Sequence, residues 1–239
     1  EALEIDQMMV KMYAYEGKTS SSCPSPESYL QSFKGADNII VVTITGTLSG
    51  SHNSAQLAKK MYLEEHPEAN IEIIDSLSAS GEMVLLTQAI ATFIKEDPSF
   101  EVVVEKAHNY HSKTKLLFAL ASVDNLVKNG RLSKLVGRVV GLLNIRMVGQ
   151  ASTEGTLELL HKSRGQKRAV TAIWDEMKKN HYQGGRVAIS HCDNPEICAM
   201  IKTAIHSEFP NADVQAYPTS GLCSYYAEQG GILMGYETH

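Results

Sequence analysis

A doubly wound α/β fold in two lobes, with a mainly parallel sheet in the first lobe and a mixed α/β second lobe, follows from three observations. Short β-branched runs alternate with amphipathic helical stretches over residues 39–121. The same alternation resumes after residue 160. Between them, residues 145–161 carry a hairpin signature absent from the first half.

Taken in order, residues 1–36 have weak periodicity and a polar run, Lys18 to Glu27, before Ser25-Pro26-Glu27 opens a helix to Phe33 with proline in its first turn. Ile39 to Ile44 is nearly continuous and β-branched, which suits a strand buried on both faces. From Asn53, Ala55, Ala58 and Met61 or Tyr62 share a helical face. Ile71 to Ile74 repeats the strand pattern, and Met83, Leu86, Ile90 and Phe93 or Ile94 the helical one. A helix over Phe100–Tyr110 and a strand over Lys115–Ala121 follow. A short helix is closed by Gly130 and restarted at Ser133, leading into an apolar helix over Val136–Leu143. Strands 145–151 and 156–161 flank the turn Ser152–Gly155. Then come helix 167–178, strand 186–190, helix 194–209, strand 213–217 and strand 231–236. A lobe boundary near residue 122 divides the chain into 1–122 and 123–239.

Composition narrows the function. The 239 residues hold 22 Lys plus Arg against 27 Asp plus Glu, a net charge of −5, which argues against nucleic acid as the main partner. Cys23, Cys192, Cys198 and Cys223 are scattered, without Cys-x-x-Cys spacing, so a reducing cytoplasm is the expected home. No apolar run approaches a membrane span, which predicts a soluble protein. The chain opens Glu-Ala-Leu-Glu without methionine, as a fragment or processed form would.

The stretch with the most chemistry is Ile39–Ala58. A Gly-, Ser- and Thr-rich turn leaves a buried strand and opens a helix, where unpaired N–H groups and the helix dipole favour an anion. Thr47, Ser49 and Ser51 can add hydroxyl donors, and Gly46 and Gly50 allow close approach to the backbone. The plain structural reading of Ser49 is a helix cap, and of Ser21 and Ser22 mere turn polarity. Arg164, in the basic run His161–Arg168, is either a solvated connector or an anion or partner contact; Arg131 is either a helix-end contact or part of the same head-group surroundings. His108 and His111 share a helical face but lack a third ligand, so no metal is expected. Side chains of the neighbours His191 and Cys192 leave a strand in opposite directions, which disfavours a catalytic pair. Neither a Gly-x-Gly-x-x-Gly nor a Gly-Lys-Ser/Thr phosphate loop occurs.

Four stretches resemble the DegV family of fatty-acid-binding proteins: Ser21-Ser-Cys-Pro-Ser-Pro26, Thr47-Leu-Ser-Gly-Ser51, Ile74-Asp-Ser76, and Asp124-Asn-Leu-Val-Lys-Asn-Gly-Arg-Leu-Ser133. The last is continued by Leu142-Leu-Asn-Ile-Arg146, Gly155 and Lys162-Ser-Arg-Gly165. The family's opening strand ending in Thr-Asp-Ser has no counterpart here. Tyr226-Ala-Glu-Gln-Gly230 stands in place of its His-x-Gly-Pro-Gly loop, making Tyr226 the candidate substitute for the histidine.

The resemblance implies a two-lobed carrier with an apolar ligand tunnel between or beside the lobes, burying a long-chain fatty acid. The carboxylate would meet Ser21, Ser22, Ser49, Gly50, Ser51, Arg131, Arg164 and Tyr226. It further implies a separate ATP-dependent fatty acid kinase catalytic subunit as partner, with transient contact at a membrane surface compatible. The carrier itself would have no catalytic residue, metal or cofactor. The rival reading is a hydrolase or transferase acting on a small carboxylic acid or ester, with Ser49 as nucleophile; it lacks a base, since His52 would turn away along the helix. A third reading is a structural remnant without its first strand and its ligand loop.

Overall fold

The computed structural model describes residues 4–97, 99–133 and 144–238. The expected helix over 136–143 lies outside them. Strand β1 (Asn38–Thr43) pairs in parallel with β2 (Asn70–Asp75), from Asn38↔Asn70 to Thr43↔Asp75. The two strands are apolar on both faces, so each face needs a cover. On one face, Ile39, Val41, Ile71 and Ile73 pack with α2 (Pro26–Phe33) and α3 (Ser51–Glu65) through Phe33, Ala55, Ala58 and Tyr62. On the other, Ile40, Val42 and Ile74 meet Leu86, Ile90, Val103 and Ala107 of α4 (Gly81–Glu96) and α5 (Phe100–His111).

Among the described residues, the second sheet has six strands in the order β5-β4-β3-β8-β6-β7. Its members are β3 (Thr114–Leu120), β4 (Ile145–Ala151), β5 (Leu157–Arg164), β6 (Val187–His191), β7 (Val214–Pro218) and β8 (Ile232–Glu237). Only β6 and β7 pair in parallel; β3, β4, β5 and β8 form antiparallel pairs, and β8 runs antiparallel to both β3 and β6. The expected hairpin is present as β4 and β5. Strand β3, read from sequence within residues 1–122, hydrogen-bonds to β4 and β8 and so belongs to this sheet. No local pattern announces that choice, because β3 is apolar along most of its length.

Alternation along β3 divides the interior. Leu117 and Ala119 face a core under α7 (Gly165–Lys179) and α8 (Pro195–Glu208), with Ile173, Met177, Ile197 and Ile201. Phe118 and Leu120 face the other side, toward α6 (Asp124–Lys128), α9 (Gly221–Ala227) and α1 (Ile5–Ala14), with Leu126, Met9 and Ala227. Helices α1 and α9 lay outside the sequence expectation: α1 borrows its stability from Met8, Met9 and Met12 packed on that cluster, and α9 spans only seven residues. Helix α3 starts at Ser51, two residues before the expected Asn53, because Ser54 N already bonds to Gly50 O.

Helix α4 joins the two sheets. Its first residue, Gly81, lies so close to β6 and β8 that a Cβ there would overlap Ala188 O and Gly235 N, and Gly235 likewise has no room for a side chain against Glu82. Such close approach of backbones requires glycine on both partners. It places the carboxyl ends of β1 and β2 beside the Phe118–Leu120 face of β3.

Candidate functional site

Two loops leave the carboxyl ends of β1 and β2, the usual ligand side of a parallel sheet. They are tied together: Thr45 N donates to Ser78 O at 2.9 Å, and the Asp75 carboxylate accepts from Gly46 N at 3.1 Å and Leu77 N at 3.0 Å. The β4–β5 turn docks onto the first loop, with Thr45 Oγ1 donating to Gly155 O at 2.9 Å and Thr47 Oγ1 to Glu154 O at 2.6 Å. Thr47 is therefore used in docking rather than turned toward a ligand. Gly155 has φ +75°, and a side chain there would run into Thr45 Oγ1.

Behind these loops lies a cavity of about 660 Å³ including its mouth. Ile44, Leu48, Ala79, Phe118, Leu120, Leu126, Leu157, Leu222, Cys223, Ala227 and Leu233 form its apolar wall. Ser21, Ser49, Arg131 and Tyr226 supply its polar atoms. A smaller apolar space shares Phe118, Leu120, Leu126 and Leu157 and continues toward Leu132, Met147 and Leu159. An apolar path with a few polar groups is the usual form of a small-molecule site.

Each polar group is positioned by local structure. Ser49 Oγ accepts from Ser51 N at 3.2 Å and lies 2.9 Å from Ser51 Oγ. With Ser51 donating to it, the Ser49 hydroxyl keeps its own proton to offer. The N-cap of α3 is Gly50, without a side-chain cap bond, so Ser49 lies one residue outside the cap expected of it, and Ser51 is buried against it. Gly50 precedes α3 with φ −72° and has Cys23 Sγ against it, so the tight space and not a special backbone angle favours glycine.

Arg131 is aimed by the end of α6. Gly130, at φ +74°, turns the chain back, and Arg131 N donates to Leu126 O at 2.8 Å, a left-handed helix termination. The guanidinium then donates Nη1 to Asn129 O at 2.9 Å and lies 5.1 Å over the Tyr226 ring. Tyr226 OH is 2.8 Å from Ser21 Oγ. Burial pushes up the thiol pKa of Cys223, so this wall residue is a neutral, apolar surface.

Four of the eight residues expected from sequence thus line one cavity, and Ser51 and Gly50 support Ser49. Ser22 is exposed and outside the lining. Arg164 is exposed at the end of β5, where it pairs across the strands with Ile145. The hydrophobic wall escaped sequence reasoning entirely; only the β3 alternation could have separated Phe118 and Leu120 from Leu117 and Ala119. Ser49 has no histidine or carboxylate partner among the described residues: His52 Nδ1 is 3.4 Å from Thr43 Oγ1, and its Nε2 is 3.4 Å from Gln56 Nε2. No group of three or more metal-binding side chains occurs among the described residues, and no described helix is long and apolar enough to cross a membrane.

Fold and site together define a two-sheet α/β protein with an apolar cavity whose polar groups are hydroxyls and a guanidinium. The family model described as "Uncharacterised protein, DegV family" matches residues 1–237, and the chain belongs to that family. A Streptococcus gordonii DegV domain-containing protein is 61% identical over 235 residues, covering 98% of this chain and 84% of that one. The crystal structure of the Streptococcus pneumoniae fatty acid kinase (Fak) B3 protein loaded with linoleic acid superposes with TM-score 0.97 at 59% identity, covering 99% of this chain and 84% of the other. A DegV family protein from Eubacterium eligens loaded with heptadecanoic acid gives TM-score 0.96 at 37% identity, covering 99% and 86%.

Proposed function

We propose that this chain binds a long-chain fatty acid, its tail in the cavity and its carboxylate at Ser21, Ser49, Arg131 and Tyr226. The observation that carries the reading is the convergence of those four side chains, from distant parts of the sequence, on one otherwise apolar cavity. The linoleic and heptadecanoic acids carried by the two structural relatives support it. Burying about 15 methylenes at roughly 0.8 kcal/mol each contributes about 12 kcal/mol before ordering costs, so the tail supplies affinity and the head supplies register.

The same reading makes the chain the binding subunit of a fatty acid kinase: it holds the acid with its carboxylate at the mouth, and a separate ATP-dependent catalytic subunit phosphorylates it. The relative named for fatty acid kinase supports that role. Working beside an ATP-dependent partner, the carrier would act in the cytoplasm and needs no cofactor of its own. In this reading both expected lobes hold the head, 1–122 through Ser21 and Ser49 and 123–239 through Arg131 and Tyr226. Native mass spectrometry of gently purified protein is expected to show a co-purifying fatty acid, and adding the kinase subunit with ATP to yield an acyl phosphate trapped by hydroxylamine. Ligand-free protein that hydrolyses esters through Ser49 would overturn the proposal.

A further inference from the structure

Helix α1 packs on the second sheet's Phe118–Leu120 side, and α2 packs on the first sheet against α3. The chain between them must cross from one sheet to the other, and it does so at the cavity, where Ser21 is part of the lining. Among the described residues, 16–24 make no backbone-to-backbone hydrogen bond. Their placement rests on side chains. Thr19 Oγ1 is 2.7 Å from Tyr225 OH and Ser21 Oγ is 2.8 Å from Tyr226 OH, whereas Cys23 Sγ reaches Ser54 Oγ only at 3.7 Å.

The Tyr225 hydroxyl is itself held in place. Asn129 Nδ2 donates to it at 3.0 Å and to Asn125 O at 2.9 Å, while Asn125 Nδ2 donates to Tyr225 O at 2.9 Å. With Asn129 donating to it, the tyrosine proton is free to point at Thr19 Oγ1. The Tyr225 ring is 9% exposed and stands edge-on to Tyr226 at 4.8 Å. One end of the crossing segment is thereby pinned to α6 and α9, two residues from the Ser21 donor. A segment without ladder hydrogen bonds opens at low cost, and one or two side-chain bonds then set how often it does so.

We infer that residues 16–24 form a strap over the cavity mouth, latched by Tyr225, and that Tyr225 and Asn129 are positioning residues governing how fast a fatty acid enters and leaves. The inference rests on the cavity being the fatty acid site. The inference places the latch bond in the closed form of both the empty and the filled protein, so losing it scales entry and exit together and leaves the equilibrium affinity nearly unchanged.

Stopped-flow uptake and release of a conjugated tetraene fatty acid, fluorescent when buried, tests this in the full chain. Tyr225→Phe and Thr19→Val are each expected to raise both rates about tenfold, the scale of one lost hydrogen bond, with Kd within about twofold of the parent. Thr19→Ser, which keeps the hydroxyl, should match the parent. Tryptic cleavage at the exposed Lys18 within the strap should accelerate by the same factor without any ligand. Unchanged rates and unchanged Lys18 cleavage in a folded Thr19→Val protein would overturn the latch, as would a weaker Kd arising from release alone. A parent protein that takes up no fatty acid would instead overturn the function proposed above, and Lys18 cleavage would then decide the latch by itself.

Discussion

Two spaces lie back to back in this molecule with Leu157 in the wall of both, and they differ in chemistry more than in place. The cavity at Ser49 holds about 660 Å³, whereas the cleft beside it, between α5, the end of β2 and the β4–β5 turn, holds about 1550 Å³, mouths included. The larger space mixes apolar residues such as Leu77 and Leu116 with many polar ones, Glu82, His111, Lys115, Gln150, Glu154 and Glu158 among them. Many of its groups already satisfy one another: Gln150 Nε2 donates to Glu158 Oε2 at 2.9 Å, Thr114 Oγ1 to Glu82 Oε1 at 2.7 Å, and His111 Nε2 lies 2.8 Å from Ser76 O. In the smaller cavity a dry wall leaves four polar side chains as the main source of direction. The proposed affinity for an acid with an apolar tail rests on that contrast and not on volume.

The sharpest way to break the comparison is a charge on each side of the partition. Leu48→Glu would set a carboxylate beside the bound head group in a site of low dielectric. Fatty acid affinity by fluorescence titration is expected to fall about 100-fold, while Gln150→Glu in the open cleft changes it less than about twofold. Equal losses from both substitutions would show that the cleft, too, contacts the ligand.

Next in size is the joint between the loops and the second sheet. Gly155→Val forces a β-branched residue into φ +75° and against Thr45 Oγ1, so thermal unfolding should show a loss of about 2–3 kcal/mol. Gly35→Ala, at φ +79° with nothing within 4 Å, carries the backbone penalty without the clash and should lose only about 1 kcal/mol.

Arg131→Ala removes a charged donor from the proposed head-group site and is expected to weaken binding about 10- to 30-fold in the same titration. Arg131→Lys recovers part of that loss, since it keeps the charge without the planar fork.

The smallest expected effect concerns the polar side. Burial raises the Glu82 pKa, with the Thr114 hydroxyl acting the other way. The folded protein therefore holds this proton to a higher pH than the unfolded chain. Stability is unaffected by the group at pH values below the ordinary carboxylate pKa and declines as pH rises from there through the raised folded value. Glu82→Gln keeps an oxygen for Thr114 and removes that decline. Its melting temperature should match the parent near pH 4 and exceed it by a few degrees near pH 8. Glu228, buried and shifted the same way, leaves part of the slope in place.

The sequence by itself determined the pieces whose physics is local. The β-branched runs, the helical faces, the Ser152–Gly155 turn and the Gly130 helix stop are all visible as periodicity or as backbone chemistry, and among the described residues the structure places an element at each. Ser49 could be singled out for the same reason, since a Ser- and Gly-rich turn between a buried strand and a helix offers unpaired donors whatever surrounds it. Tertiary structure alone decided how those pieces combine. Strand β3 is apolar on both faces and carries no mark of which sheet it will join. Helix α1 has too weak a pattern to stand without the cluster it covers. The partners of Ser49 come from residues 21, 131 and 226, whose meeting depends on Gly81 and Gly235 bringing α4 onto β8. A cavity is a property of surfaces distant in the chain, and no local signal encodes it.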